Sequence, residues 1–300
     1  MRIRPFLCLL ALSCVLCACP RTQAGSRQGK PRQARLERQS PTTPFWRTTA
    51  ADSLLAEQIL AKLRPDAGKA TVPELMVRAG QALKGQPYVG GTLEECPSEQ
   101  LSIYLTRTDC ILFVETCLGL ARTAKSGGGF PALAGELRQS RYRDGRINAY
   151  ADRLHYTLDW ERQGLRRGTL KDMTASLGGI PYDHPVHYMS THTQSYPRMD
   201  DVDAIRAAEA RINAEPFLYI PKEQVKQSLP GIRSGDIICF VSALEGLDIL
   251  HVGMAVVEGG TVRILHASSA AKKVILDPKP LPDYLAGRKS IAGIQILRPL

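Results

Sequence analysis

"LTRTDCILFVE", residues 105–115, sets a cysteine directly after an aspartate at the start of an apolar run. The run continues through "DCILFVETCLGLAR" (109–122), which predicts a helix with Asp109 as its N-cap. A helix N-terminus presents unpaired N–H groups and a partial positive charge. A thiol placed there loses its proton more easily, and the thiolate is the nucleophile. Cys110 is therefore either a small core residue, the common fate of a helical cysteine, or a nucleophile whose own N–H faces an oxyanion. The rest of the chain has to decide between them.

Upstream, "ADSLLAEQILAKL" (51–63) spaces its apolar residues by three and four, as a helix does. "TVPELMVRAGQALKG" (71–85) is a second helix, with Thr71 as cap, Pro73 in the first turn and Gly85 as the stop. "QPYVGGT" is a turn and "KSGGGFP" a loop. The stretch from about 140 to 230 is irregular and rich in Tyr, His and Pro, with one clear helix near 201–213. From 235 the register changes. "DIICFVSA", "LHVGMAVV", "TVRILH", "KKVIL" and "GIQIL" are short and β-branched, as in an antiparallel sheet, with "LPDYLAG" (281–287) a short helix between the last two. Helices followed by strands predict an α+β fold.

Two histidines fall at strand ends. His251 opens an apolar strand in "DILHVGMAV", and His266 closes the next in "VRILHASS". Antiparallel neighbours joined by the turn "EGG" set both rings side by side. One can then take the thiol proton while the other fixes its tautomer. A lone strand histidine is usually structural, but two behind a cysteine-led helix outweigh that.

The order "PYVGG … TDC … GD … HVGMAV … LHASS" resembles the NlpC-type family of bacterial cell-wall cysteine peptidases and amidases. That resemblance implies a papain-like arrangement, a Cys-bearing helix packed on a small antiparallel β-sheet with helical and loop insertions. It also implies Cys110 as nucleophile, His251 as general base, His266 as the orienting third member, and Tyr88 and Asp109 lining the substrate site. Most members carry a serine after the cysteine; Ile111 stands there instead, which argues against holding a free peptide amine. From about 71 to 300, "RYRDGRINAYADRLHYTLDW", "KDMTASLGG" and "GLDILHVGMAV" are similar to the branch containing N-acetylmuramoyl-L-alanine amidases that act on anhydro-muropeptides. The activity implied is cysteine-dependent cleavage of the lactyl–L-alanine amide, releasing the stem peptide. In "ADRLHYTLDW" (151–160), Tyr156 and Trp160 are candidates to stack on a pyranose, and Arg153 and His155 to bond its polar groups. Packing over a core edge is an equally good account of that stretch. The chemistry needs no cofactor.

Three rival functions are weaker. His184, His187 and His192 with Asp183 suggest a zinc amidase, but Pro185 breaks any helix that would space two histidines as ligands. A non-catalytic wall-binding lipoprotein would not need all three triad positions. A γ-D-glutamyl–diaminopimelate endopeptidase is opposed by Ile111 and by the insertions between 123 and 230. Nucleic acid is set aside on charge. Residues 1–48 hold nine Lys/Arg and one Glu, a net +8 of the formal +10, which leaves +2 for the remainder.

That basic segment has its own logic. "MRIR" followed by "PFLCLLALSCVLCAC" reads as an export signal over residues 1–24, too short for an ordinary membrane span. "LCAC" (16–19) resembles a lipoprotein processing site that would lipidate Cys19, while "TQA" before Gly25 is the rival cut. Residues 25–48 read as a basic, disordered tether that suits an anionic membrane surface, and 49–300 as one amidase-like domain. The expected location is the bacterial periplasm, with muropeptides as the partner and a lipid anchor as the contact with the membrane. Cys96, Cys110, Cys117 and Cys239 remain after the leader, without the paired short spacings of a zinc site.

Overall fold

Helix α1 (Ala50–Leu63) begins where Thr49 accepts a hydrogen bond from the Asp52 N–H. Helix α2 (Val72–Ala82) begins in a capping box between Thr71 and Glu74, with proline in its first turn. Helix α3 (Cys110–Lys125) is capped by Asp109, whose Oδ1 accepts from the Leu112 N–H at 3.0 Å. The chain goes on through α4 (Phe130–Arg141), α5 (Thr157–Arg166), α6 (Tyr188–Thr191), α7 (Val202–Asn213), α8 (Val225–Ser228) and α9 (Leu281–Leu285). This computed structural model describes residues 44–300, which form one compact unit. The expected leader (1–24), Cys19 and the tether as far as 43 lie outside the described residues. No helix among the described residues is long and apolar enough to cross a membrane.

The strands are β1 (Trp46–Arg47), β2 (Leu101–Ser102), β3 (Leu170–Asp172), β4 (Ile180–Tyr182), β5 (Phe217–Pro221), β6 (Ile237–Ser242), β7 (Ile249–Glu258), β8 (Thr261–Ser268), β9 (Lys273–Leu276) and β10 (Ile291–Pro299). Strands β1 and β2 form a small parallel pair. The other eight make an antiparallel sheet ordered β4-β5-β10-β6-β7-β8-β9, with β3 also on β10. The fold is thus mixed α+β around an antiparallel sheet, wider than the five strands read from the sequence.

Alternation along the central strands builds two cores. Ile237, Cys239, Val241, Val252, Met254 and Leu265 face the packed helices α1 to α4. Ile238, Phe240, Ala255, Ile264, Ile294 and Ile296 face the other way, under Val225 of α8 and Leu281 and Leu285 of α9. Helix α2 comes close to the sheet at Gly80, where an added Cβ would lie 2.6 Å from Met254 Cε and 2.8 Å from Leu265 Cδ2.

Three differences from the sequence reading have physical reasons. Residues 46 and 47 belong to the folded unit and not to the tether, because Trp46 packs edge-on against Phe130 while its backbone pairs with Leu101. Phe130 and Pro131 open α4 instead of closing a loop, since proline suits a first helical turn. Helix α5 and strands β3 to β5 occupy the stretch read as irregular. Strands β3 and β4 are three residues long and β5 five, too short to show a period, and pairing with distant partners supplies their order.

Candidate active site

The segment entering α3 is pinned from two sides. Asp52, fully buried on α1, accepts hydrogen bonds from the Leu105 N–H (2.8 Å), the Thr106 N–H (2.8 Å) and the Thr106 hydroxyl (2.7 Å). Burial pushes its carboxyl up, but these bonds and one from Thr49 win, and it lies below the ordinary aspartate value. On the other side, the Val89 N–H donates to the Thr108 carbonyl and the Thr108 N–H to the Pro87 carbonyl, which brings Tyr88 beside Asp109 and Cys110. The Tyr88 hydroxyl is raised to about 12 by burial, and then by the neighbouring thiol and carboxyl.

Cys110 is half-buried at the first position of α3. Its thiol is pushed up to about 12, mainly by burial and then by Asp109, although the N–H groups of Val252, Ile111 and Cys110 itself favour the thiolate. Asp109 is raised by desolvation, which the Leu112 N–H and Arg141 oppose.

His251 and His266 meet as their strand positions require. His251 Nε2 lies 2.7 Å from His266 Nδ1, with the rings edge to face at 4.9 Å between centroids. A register shift between β6 and β7 at Phe240/Val241 sets the direction of the strand start that carries His251. Phe240 stacks on His251 at 5.6 Å, and Tyr284 of α9 meets His266 edge-on at 5.7 Å. Burial takes His251 down to about 3, helped by His266 and Arg288. Burial takes His266 down to about 4, against the pull of Asp277. Both rings are therefore neutral at rest near pH 7.

A cleft of about 180 Å³ opens beside the α3 N-terminus, lined by Asp109, Ile111, Glu94, Arg141, Arg153 and His155 among others. Its charges are tied together. Arg153 donates to Glu94 Oε1 at 2.6 Å and lies 3.4 Å from Glu99. Arg141 donates to Glu115 at 2.9 Å and to the Ser102 carbonyl at 2.6 Å. Arg198 reaches across to the Leu93 carbonyl and to Glu99. His155 lies tilted against Tyr150 at 4.3 Å between ring centroids, shares a 2.8 Å hydrogen bond between Nε2 and the Tyr150 carbonyl, and is lowered to about 3 by burial and Arg153.

Tyr88, Asp109, Cys110, His251 and His266 thus share one corner, with Arg153 and His155 in the adjoining cleft wall. Tyr156 and Trp160 do not join them. Tyr156 is 4% exposed, its hydroxyl donating to Glu209 and accepting from the Met189 N–H, and Trp160 is 3% exposed, its indole N–H donating to Ser140. Their rings are spent on the core, which corrects the expectation that they stack on a sugar. His184 is bound to the Leu244 and Leu247 carbonyls and His192 stacks on Tyr188, and no group of three ligating side chains converges among the described residues. Cys96, Cys110, Cys117 and Cys239 are free thiols.

Two contributors escaped the sequence reading. Gly253 lies against His266, where an added Cβ would sit 3.0 Å from the His266 Cβ, and "HVGMA" carried that signal two residues after His251. Asp277, 3.6 Å from His266 Nε2, had no local signal because β9 brings it there.

A family model described as AmiA-like, N-acetylmuramoyl-L-alanine amidase-like, matches residues 78–294. A crystal structure of an N-acetylmuramoyl-L-alanine amidase from Bacteroides uniformis is 33% identical with a TM-score of 0.73, covering 77% of this chain and 99% of its own. A Bacteroides fragilis structure described as a proposed xylanase is 35% identical with a TM-score of 0.69, covering 73% and 98%. A Legionella pneumophila protein at 23% identity and TM-score 0.62, covering 84% and 96%, shares the fold. A search of curated proteins gives no match. Matched over most of its length, the chain belongs to the N-acetylmuramoyl-L-alanine amidase-like family.

Proposed function

We propose that the protein is a cysteine-dependent N-acetylmuramoyl-L-alanine amidase that releases the stem peptide from muropeptides. The observation that carries this reading is the hydrogen-bonded His251–His266 pair, with His251 on the strand whose Val252 N–H faces the Cys110 sulfur, in a chain of this family. With the thiol raised and the imidazole lowered, the resting site holds both neutral. His251 then acts as general base during attack, and no ion pair forms beforehand.

His251 Nε2 is engaged by His266, which leaves Nδ1 to take the thiol proton. Sulfur attacks the lactyl carbonyl, and the Cys110 N–H at the helix start supports the oxyanion. As the C–N bond breaks, protonated His251 gives its proton to the alanine nitrogen, and the stem peptide leaves. Water, deprotonated by His251 Nδ1, then hydrolyses the thioester on the lactyl side, and that proton returns to the Cys110 sulfur as it leaves.

The cleft supports this choice of bond. Ile111 puts hydrocarbon where a hydroxyl would help hold a free amine, which suits an ether-linked acyl group that carries none. His155 and the guanidinium of Arg153, which its bond to Glu94 fixes in the cleft wall, are the residues to bond the sugar. A glycosidase would need two free carboxyl groups flanking the bond. Here Asp109 caps α3, while Glu94 and Glu115 are held by Arg153 and Arg141. Export to the periplasm, with or without a lipid on Cys19, completes the proposal and rests on the leader and the basic tether.

Mass spectrometry of anhydro-muropeptides incubated with the purified protein, beside Cys110→Ala, tests it. Disaccharide plus an intact stem peptide, lost in the variant, is expected. A product retaining L-Ala-γ-D-Glu on the sugar would instead mean an endopeptidase.

A further inference from the structure

We propose that Asp277 is a positioning residue that fixes the tautomers of both histidines, extending the site to a line Cys110–His251–His266–Asp277. This rests on the catalytic reading above and adds to it a residue outside the Cys–His–His set. His266 is 2% exposed, and its Nε2 is sealed from water with no hydrogen-bond partner. The carboxylate oxygen Oδ2 of Asp277 lies 3.6 Å from that nitrogen. This is longer than a hydrogen bond, so the carboxylate acts as a charge on the dipole of the neutral ring.

The aspartate is held in that position. Its N–H donates to the Ile264 carbonyl at 2.8 Å, and its Oδ1 accepts from the Lys279 N–H at 2.9 Å, which leaves Oδ2 for the ring. His266 is fixed in turn by its backbone pairing with Ile275 of β9, two residues before the aspartate.

One proton assignment satisfies every contact. A carboxylate facing Nε2 favours the proton there, so His266 Nδ1 is an acceptor. The 2.7 Å contact then requires His251 to donate through Nε2–H, and His251 Nδ1 keeps its lone pair for the thiol proton. The opposite assignment sets a lone pair against the carboxylate and leaves His251 Nδ1–H, which cannot act as a base. Asp277 selects the working tautomer through two rings. Arg288, which acts on both histidines with the opposite sign, limits the positive charge the pair can hold.

The test reads the tautomers first and needs no substrate. Two-dimensional ¹⁵N NMR of the histidine rings in the purified protein should show both His251 and His266 protonated at Nε2 and bare at Nδ1. In Asp277→Asn the amide can donate to His266 Nε2, so both rings should move toward the Nδ1–H form. The kcat on muropeptides should fall by about 10²-fold or more, further than in Asp277→Ala, at unchanged KM. Wild-type rings protonated at Nδ1, or tautomers and kcat that do not respond to Asp277→Asn, would overturn the proposal. The predicted tautomers in a protein that cleaves no muropeptide would leave this proposal standing and remove the amidase reading.

Discussion

The corner around Cys110 and the segment 151–160 both attract attention in the sequence, and the fold treats them in opposite ways. At the corner, Cys110 and His251 sit near the starts of their elements and keep part of their surface, with His266 sealed behind them. In 151–160, Tyr156 caps the entry to α5 and Trp160 lies inside it, both sealed by hydrogen bonds to Glu209 and Ser140. Only Arg153, Leu154 and His155, ahead of the helix, reach the cleft. Residue type marks what a side chain can do, but its place along the element decides whether a ligand can meet it. Helix α3 repeats the contrast with one residue type, since Cys110 is half-buried at the first position and Cys117 is fully buried two turns on.

The largest expected effect separates those two thiols. Cys110→Ala should lower kcat/KM by about 10⁴-fold or more with the melting temperature retained. Cys117→Ala should cost about 1 kcal/mol of stability and leave kcat/KM alone, and the reverse pattern would mean the helix position had been misjudged. Trp160→Ala comes next. It should destabilise by about 3–5 kcal/mol in urea titration while the folded fraction keeps its KM; a raised KM at unchanged stability would return the indole to the substrate. Arg153→Gln should raise KM about tenfold with little change in kcat, measured on the same muropeptides.

The smallest effect concerns the resting proton. With the thiol near 12 and His251 near 3, alkylation of Cys110 by iodoacetamide should climb about tenfold per pH unit from pH 6 to 9, because thiolate accumulates only as pH rises. A plateau of fast alkylation extending below pH 6 would show a preformed thiolate–imidazolium pair.

Much of this corner was legible because its signals are local. An aspartate before an apolar helix, and a histidine at each end of a two-strand hairpin, need only the periods of helix and strand to be placed. Thr71 and Pro73 marked α2 for the same reason. Asp52 and the cleft network of Glu94, Glu99, Arg141 and Arg198 were illegible because each works across a large sequence separation, and Asp277 because it acts through strand pairing. Asp52 holds a segment fifty-three residues away, and Asp277 reaches His266 only once β9 has paired. The choice between core and ligand for Tyr156 and Trp160 was open for the same reason, since Met189, Glu209 and Ser140 come from three other parts of the chain. Strands β3 to β5 are too short to declare themselves before β10 pairs with two of them.

In the proposed mechanism the Cys110 sulfur carries the acyl group. Acid-quenching the protein during turnover of an anhydro-muropeptide, then mapping the adduct by peptide mass spectrometry, tests it most directly. The sugar–lactyl acyl group is expected on the Cys110 peptide, with the stem peptide already free in solution. An adduct that retains alanine, or undiminished turnover by Cys110→Ala, would contradict it.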